Sequence, residues 1–388
     1  MHTPQLAMRS VTALTVSLLA AWLAAGTALP PAAGARTRSA GPTVSFTVGG
    51  GLSGVAAISA TSAWAVGHTG ATRFSTLIVH GTGKTWKRVP SPGSARSSLL
   101  GVAAVSARGA WAVGCTDCYA SSGKTLILRW NGEAWKRVPS PSPGRGASLA
   151  SVAATSARSA WAVGSAGGSG RGKALILRWN GKVWKRVPSP SPALGASLSG
   201  VAVVSARSAW AVGESYTKTS VKTLIEHWNG QVWKRVPSPS PDAFTGSIDS
   251  LSSVSVTSSG SAWAVGDRSC GCGPGPSLIL RWNGTAWKQV PSPGDTALSS
   301  VAAVSARSAW AVGVAMSGDT SFKAVVLHWN GAAWKQVPSP SPRPSAELAG
   351  VAAASARSAW AVGYTFNSTG SKPPPKALIL RWNGTTWT

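Results

Sequence analysis

The phrase Ala-Trp-Ala-Val-Gly occurs seven times in this chain of 388 residues, with its indole at Trp64, Trp111, Trp161, Trp210, Trp263, Trp310 and Trp360. Self-similarity at a period of roughly fifty residues means an array, in which each unit buries its apolar faces only against its neighbours. A second Trp closes each repeat: Trp86, Trp135, Trp184, Trp233, Trp287, Trp334 and Trp387. A third precedes Asn-Gly in six of them (Trp130, Trp179, Trp228, Trp282, Trp329, Trp382), while the first repeat has Gly81 there. With Trp22 these account for all 21 Trp.

Each repeat carries four short strand signals. In the second, residues 102–106 form a small-residue strand, 110–114 a second, 126–130 a third and 135–138 a fourth, ended by Pro139. Asn131-Gly132 between apolar runs signals a tight hairpin with both turn residues at positive φ. Four strands per repeat, seven times over, predict an all-β fold: a seven-bladed β-propeller with four antiparallel strands per blade. Gly101, Ala103 and Ala104 suit the crowded innermost strand, and the Trp set fills the widening wedge between blades. The last repeat stops at Trp387-Thr388, short of most of an outer strand, whereas residues 43–48 precede the first blade and belong to no repeat. The N-terminal strand is therefore expected to pair with blade seven and close the ring, removing an open edge.

The domain reading is a signal peptide over 1–35, a linker over 36–42 and the propeller over 43–388. Arg9, the uncharged run 11–29 and the small residues Ala33-Gly34-Ala35 make the export signal. A secreted or cell-wall-associated bacterial protein is expected, with no membrane span after cleavage.

Spacing separates the repeats into constant and variable parts. From the Val of the first strand to the Trp of the second is nine residues in all seven repeats, and from the third strand's first Leu or Val to the closing Trp is again nine. The intervals after the second and fourth strands vary, from 13 to 18 and from 14 to 21 residues. In an up-and-down blade these loops emerge at one end, so one face of the disc varies while the other repeats. A specific ligand is expected on the variable face.

Charge divides along the same line. The chain has 37 Lys+Arg against 10 Asp+Glu, a net charge of +27, which favours polyanionic neighbours. Eight of the ten carboxylates lie in the variable loops, whereas the framework holds twenty-one Lys/Arg and only Glu133 and Glu226. The framework cations named as polyanion contacts are the turn residues Arg108, Arg158, Arg207, Arg307 and Arg357, with Arg137, Arg186 and Arg235 on outer strands. Protection of exposed edges against aggregation explains such a basic rim equally well.

The residues argue weakly for catalysis. His80, His227 and His328 sit where other repeats have Arg and read as framework substitutions; no Ser/His/Asp arrangement stands out. Glu214 and Asp267 follow Ala-Val-Gly in adjacent blades and are the one carboxylate pair that could serve glycoside cleavage, but they read as solvated loop acids. Ligand-binding candidates on the variable face are His68, Tyr119, Glu214, Tyr216, Asp267, Phe322 and Tyr364. Cys115, Cys118, Cys270 and Cys272 lie in two variable loops, where export favours two local disulfides, although the tight Cys270-Gly-Cys272 spacing leaves other pairings open. No metal site or cofactor is expected. The aromatics are expected to pack between blades rather than interleave with basic residues, which leaves no base-stacking surface and argues against nucleic acid.

The pattern Leu-Ile-Leu-Arg-Trp-Asn-Gly-x-x-Trp with Ala-Trp-Ala-Val-Gly resembles the repeats of secreted bacterial propellers related to the Asp-box (sialidase-like) and photosystem-assembly-factor families, over residues 52–388. Gly132-x-x-Trp135 keeps the second half of the Asp-box pattern, but Trp130 stands where its Asp belongs, and the sialidase catalytic set has no counterpart. The resemblance implies the fold and a binding or assembly scaffold rather than an enzyme. The expectation is a monomeric, non-catalytic extracellular scaffold whose basic framework meets an anionic envelope polymer while its loop face recognises a glycan or protein. A glycan-active enzyme or a lectin on the same loops is the alternative.

Overall fold

The computed structural model describes residues 48–388 apart from 71–73, 119, 168–171, 193, 242–245, 270–274, 318–320, 343 and 368–374. All regular structure among them is β, in seven antiparallel blades. Blade one runs Gly51–Ala57, Ser62–Thr69, Ser75–Thr82 and Thr85–Arg88, and its strands pair in that order. Blades two to six repeat the plan, and blade seven has three strands, Ser345–Ser355, Ser358–Phe366 and Lys376–Trp382. A single parallel pairing, Val221 with Ile248, links the sheets of blades four and five.

The Ala-Trp-Ala-Val-Gly phrase is a strand with both faces buried, and its alternation assigns each side chain to one neighbour. Trp64 and Val66 pack with Leu99, Ala110 and Ala112 of blade two, while Ala63 and Ala65 receive Trp360 and Val362 of blade seven. Within this strand the large residues thus point forward and the small ones back. The terminal Gly has its own cause. Every first strand bulges beside it, between Leu52 and Gly54 in blade one and at the equivalent place in the others. A Cβ at Gly67, Gly114 or Gly164 would overlap a first-strand carbonyl, of Gly51, Ser98 and Ser148 respectively. Seven wedge-shaped cores result, one per blade interface. First strands are also stitched around the axis: Val201, Val301 and Val351 donate backbone N–H groups to Ser151, Ser253 and Ser300 of the preceding blades.

Among the described residues both ends of the chain meet at blade seven. Trp387 bridges Trp382, and Thr388 exchanges backbone hydrogen bonds with Arg381, placing the C-terminus in the outer-strand position of blade seven. Further along the same third strand, Gly49 bridges Lys376, Ala377 donates to Val48 at 3.1 Å and Gly50 donates to Pro375 at 2.7 Å. Residues from both ends of the chain therefore share one edge; residues 43–47 lie outside the described set. Removal of residues 36–48 is expected to lower the melting temperature sharply, and an unchanged melt by circular dichroism would contradict this role.

The hairpin between third and fourth strands corrects one expectation. Gly132 takes φ 102°, but Asn131 does not adopt positive φ. Instead its Oδ1 accepts the N–H groups of Glu133 and Ala134 at 3.0 and 2.8 Å. The side chain closes the turn by itself, so a four-residue loop with one left-handed glycine suffices.

Candidate functional sites on the two faces

The face of constant turns is built around tryptophan. In six blades the third-strand indole Nε1 donates to the first carbonyl of the 1–2 turn, as Trp130 does to Ala107 at 3.1 Å and Trp228 to Ala206 at 3.3 Å. Each such ring, with the closing Trp of its blade, packs on the second-strand Trp of the blade before. Trp161 lies 4.9 Å from Trp228 and 5.1 Å, edge-on, from Trp233. The residue preceding the third-strand Trp completes the cluster. Arg178 sits over Trp161 and Trp228, and Arg129 and Arg281 lie likewise over Trp111–Trp179 and Trp263–Trp329, at 5.1 to 5.7 Å. Basic and aromatic residues thus do interleave, against expectation: strand alternation turns the third-strand Trp toward the blade before and the Arg preceding it toward the wedge with the blade after, where the next third-strand Trp also sits.

His80, His227 and His328 take this place in blades one, four and six, packed against Trp64, Trp210 and Trp310 at 4.2 to 4.3 Å. Their Nε2 atoms share hydrogen bonds with Ser62, Ser208 and Ser308. Burial lowers the pKa of all three below the ordinary value, and their contacts are to the Ser and Trp of their own second strands. The eight framework arginines singled out from the sequence are all exposed. The turn arginines are held alike: Ser106, Ser156, Ser205, Ser305 and Ser355 each accept the N–H of the Arg two residues on.

The variable face is drawn together by its own backbone. Loops after second strands bond to connections after fourth strands, as Gly146 to Ser121, Ala196 to Gly172 and Gly246 to Thr219. The expected one-sided placement of variable loops therefore holds in the described residues. Cys115 and Cys118 form a disulfide; Cys270, Cys272 and Tyr119 lie outside the described set. Beside that disulfide Arg96 meets Asp117 at 3.9 Å, and Cys118 donates to the Arg96 carbonyl.

The remaining candidates fall into separate groups. Asp267 of blade five adds to the raising of the Glu214 pKa in blade four, and the two are not the solvated acids expected. Both stand on second strands that run past the Gly, so the blade wedge desolvates them. Glu214 is 4% exposed, accepts the Tyr216 hydroxyl at 2.8 Å, and burial pushes its pKa up to about 7. Asp267 is raised by burial and, less, by Asp249; it accepts Ser250 at 3.1 Å, while the buried Asp249 accepts Ser240 at 2.6 Å. In blades six and seven Phe322 packs on Phe366, which packs on Tyr364, and the Tyr364 hydroxyl donates to the buried Glu347 at 3.0 Å. His68 stands against Phe74 at 4.9 Å with Ser98 at 3.4 Å, and burial lowers its pKa. Phe74 and Phe366 carry no motif: Phe74 meets His68 within blade one, and Phe366 meets Phe322 across blades six and seven. Among the described residues no group of His, Cys, Asp or Glu is arranged to hold a metal ion.

No protein-family model and no curated protein matches the chain. Solved structures do. A YCF48 bound to D1 peptide superposes with a TM-score of 0.52 at 16% identity, covering 86% of this chain and 91% of that one. YCF48 from Cyanidioschyzon merolae gives 0.54 at 16%, covering 88% and 98%. The likeness is one of fold. Enzymes share it: a GH74 xyloglucanase from Xanthomonas campestris matches at 0.54 and 14%, covering 89% of this chain and 55% of that one. A PL25 ulvan lyase bound to -[GlcA(1-4)Rha3S]- matches at 0.54 and 8%, covering 88% and 97%. Propellers of this shape thus include peptide-bound and glycan-active proteins, and the chemistry of this one rests on its own residues. Among the described residues no helix is long and apolar enough to cross a membrane.

Proposed function

We propose that this chain is a non-catalytic extracellular binding scaffold, whose basic framework associates with an anionic cell-envelope polymer while its loop face recognises a glycan or protein. One observation carries the reading: exposed cations recur at the same framework positions from blade to blade, where the one exposed framework carboxylate is Glu133. The turn and outer-strand arginines stand in solvent, whereas Glu214, Asp249 and Glu347 are buried on hydroxyl donors of the chain itself. Evenly repeated cations suit a repetitive polymer better than a shaped ligand. The attraction is screened over about 10 Å at 0.1 M salt and about 3 Å at 1 M. Retention on anionic wall polymer is therefore expected at low salt and lost on approaching 1 M; retention indifferent to salt would contradict the proposal.

A second reading draws on Glu214. A carboxyl with a pKa of about 7 beside a second carboxylate has the character of a general acid in glycan cleavage. Its burial and its bond to Tyr216 count against access by substrate. Turnover on a polysaccharide panel that is lost in Glu214→Ala would establish this reading over the first.

A further inference from the structure

The guanidinium ladder is incomplete, with gaps where the third strand carries His in place of Arg. Where the third strand supplies Arg129, Arg178 or Arg281, the next blade's indole (Trp179, Trp228, Trp329) is covered and 4% exposed. Where it supplies His80, His227 or His328, the shorter imidazole reaches only its own blade's Trp, and the next indole (Trp130, Trp282, Trp382) is partly exposed. The correlation holds at all six interfaces that have a third-strand Trp. Three flat aromatic surfaces therefore open on the constant face, between blades one and two, four and five, and six and seven.

Each has a cation beside it. His80, His227 and His328 pair across the sheet with Lys87, Lys234 and Lys335, which share their side of the blade and are exposed. An indole face takes either a cation or the C–H face of a sugar ring. The charge decides between them: a free cation is repelled by the adjacent lysine and by a chain of net charge +27. An acidic sugar satisfies both groups at once.

We propose that Trp130, Trp282 and Trp382 are stacking platforms for the sugar rings of an acidic polysaccharide, whose acidic groups are held by Lys87, Lys234 and Lys335. The inference rests on the polyanion reading above and adds to it a demand for rings, which charge alone does not make. It predicts different behaviour towards polygalacturonate, which has sugar rings, and inorganic polyphosphate, which has none.

The informative variant is H80R/H227R/H328R in the full chain. It installs the residue that other blades carry at the same position, so the fold tolerates it, and it covers all three indoles while adding positive charge. The measurement is equilibrium binding to both polymers at one low salt concentration, with indole fluorescence as a second readout. Affinity for polygalacturonate is expected to fall by about tenfold or more as three stacking contacts are lost, while affinity for polyphosphate stays level or rises. Tighter binding of both polymers by the variant would overturn the stacking proposal and leave the charge reading standing. No binding of either polymer by the unaltered chain would overturn both. Wild-type preference for an arginine-rich peptide over polygalacturonate would show that the platforms take cations, and would also overturn the proposal.

Discussion

Glu226→Leu is expected to stabilise the folded chain by about 3 kcal/mol at pH 8 and by much less at pH 4.5. Blades two, three, five, six and seven place Leu128, Leu177, Leu280, Leu327 and Leu380 at this third-strand position; blade four places a carboxyl there, fully buried. Ser189 donates to its Oε1 at 2.8 Å, but Oε2 has no hydrogen-bond partner. Burial raises its pKa to about 7, with Ser189 and Arg235 across the sheet offsetting only part of the rise. An acid raised in the folded state costs nothing while both states are protonated. The penalty grows as pH climbs from the unfolded value of 4.5 and is complete above about 7, where it reaches on the order of 3 kcal/mol. The wild-type profile mixes this with the like effect of Glu214 and Asp267, also raised by burial, and the opposite effect of the four histidines lowered by burial, which lose stability as pH falls. The difference between wild type and variant isolates the one group. For a domain of this size the gain corresponds to several degrees, at roughly 2 °C per kcal/mol. Calorimetric melts at pH 4.5, 6 and 8 should diverge steadily; a gap independent of pH would show that Glu226 is ionised in the fold or reaches water.

The other large effect is Trp161→Ala, expected to cost about 3–5 kcal/mol. Trp161 is 1% exposed and forms the floor on which Trp228, Trp233 and Arg178 rest. Its removal leaves a void between blades three and four and unseats the guanidinium, and the neighbouring Ala209 and Ala211 are too small to collapse into it. Trp130→Ala, at a partly exposed ring, should cost clearly less. Guanidinium chloride titrations of the two variants test the order; equal costs would mean that interface burial is not what the indoles supply.

The fold was legible because its signals were local and repeated. The Trp phrase, the Asn-Gly turns and the two fixed spacings each described a strand or a hairpin, and seven copies made the closure problem visible at residues 43–48 and 387–388. What lay between blades was less so. That Arg129 and its equivalents enter the Trp wedge depends on which way one side chain points relative to a neighbour fifty residues on. The same blindness made Glu214 and Asp267 look solvated: they sit among variable loops in sequence, yet their strands continue past the Gly and carry them into the blade wedge. Whether a His covers the next blade's indole is likewise a matter of reach, which residue identity alone does not state.

The central claim, that the constant framework rather than net charge or the loops holds an anionic polymer, has a direct test. One variant changes Arg108, Arg158, Arg207, Arg307 and Arg357 to Gln; a second changes the exposed variable-face residues Lys124, Lys173, Lys218, Lys222 and Lys323 to Gln. Both remove five positive charges, so a response to net charge alone treats them alike. Affinity for anionic wall polymer is measured for both against salt concentration. The account predicts that the turn variant loses most of its affinity and much of its salt dependence, while the loop variant stays close to wild type. Equal losses in the two, or a larger loss in the loop variant, would contradict it.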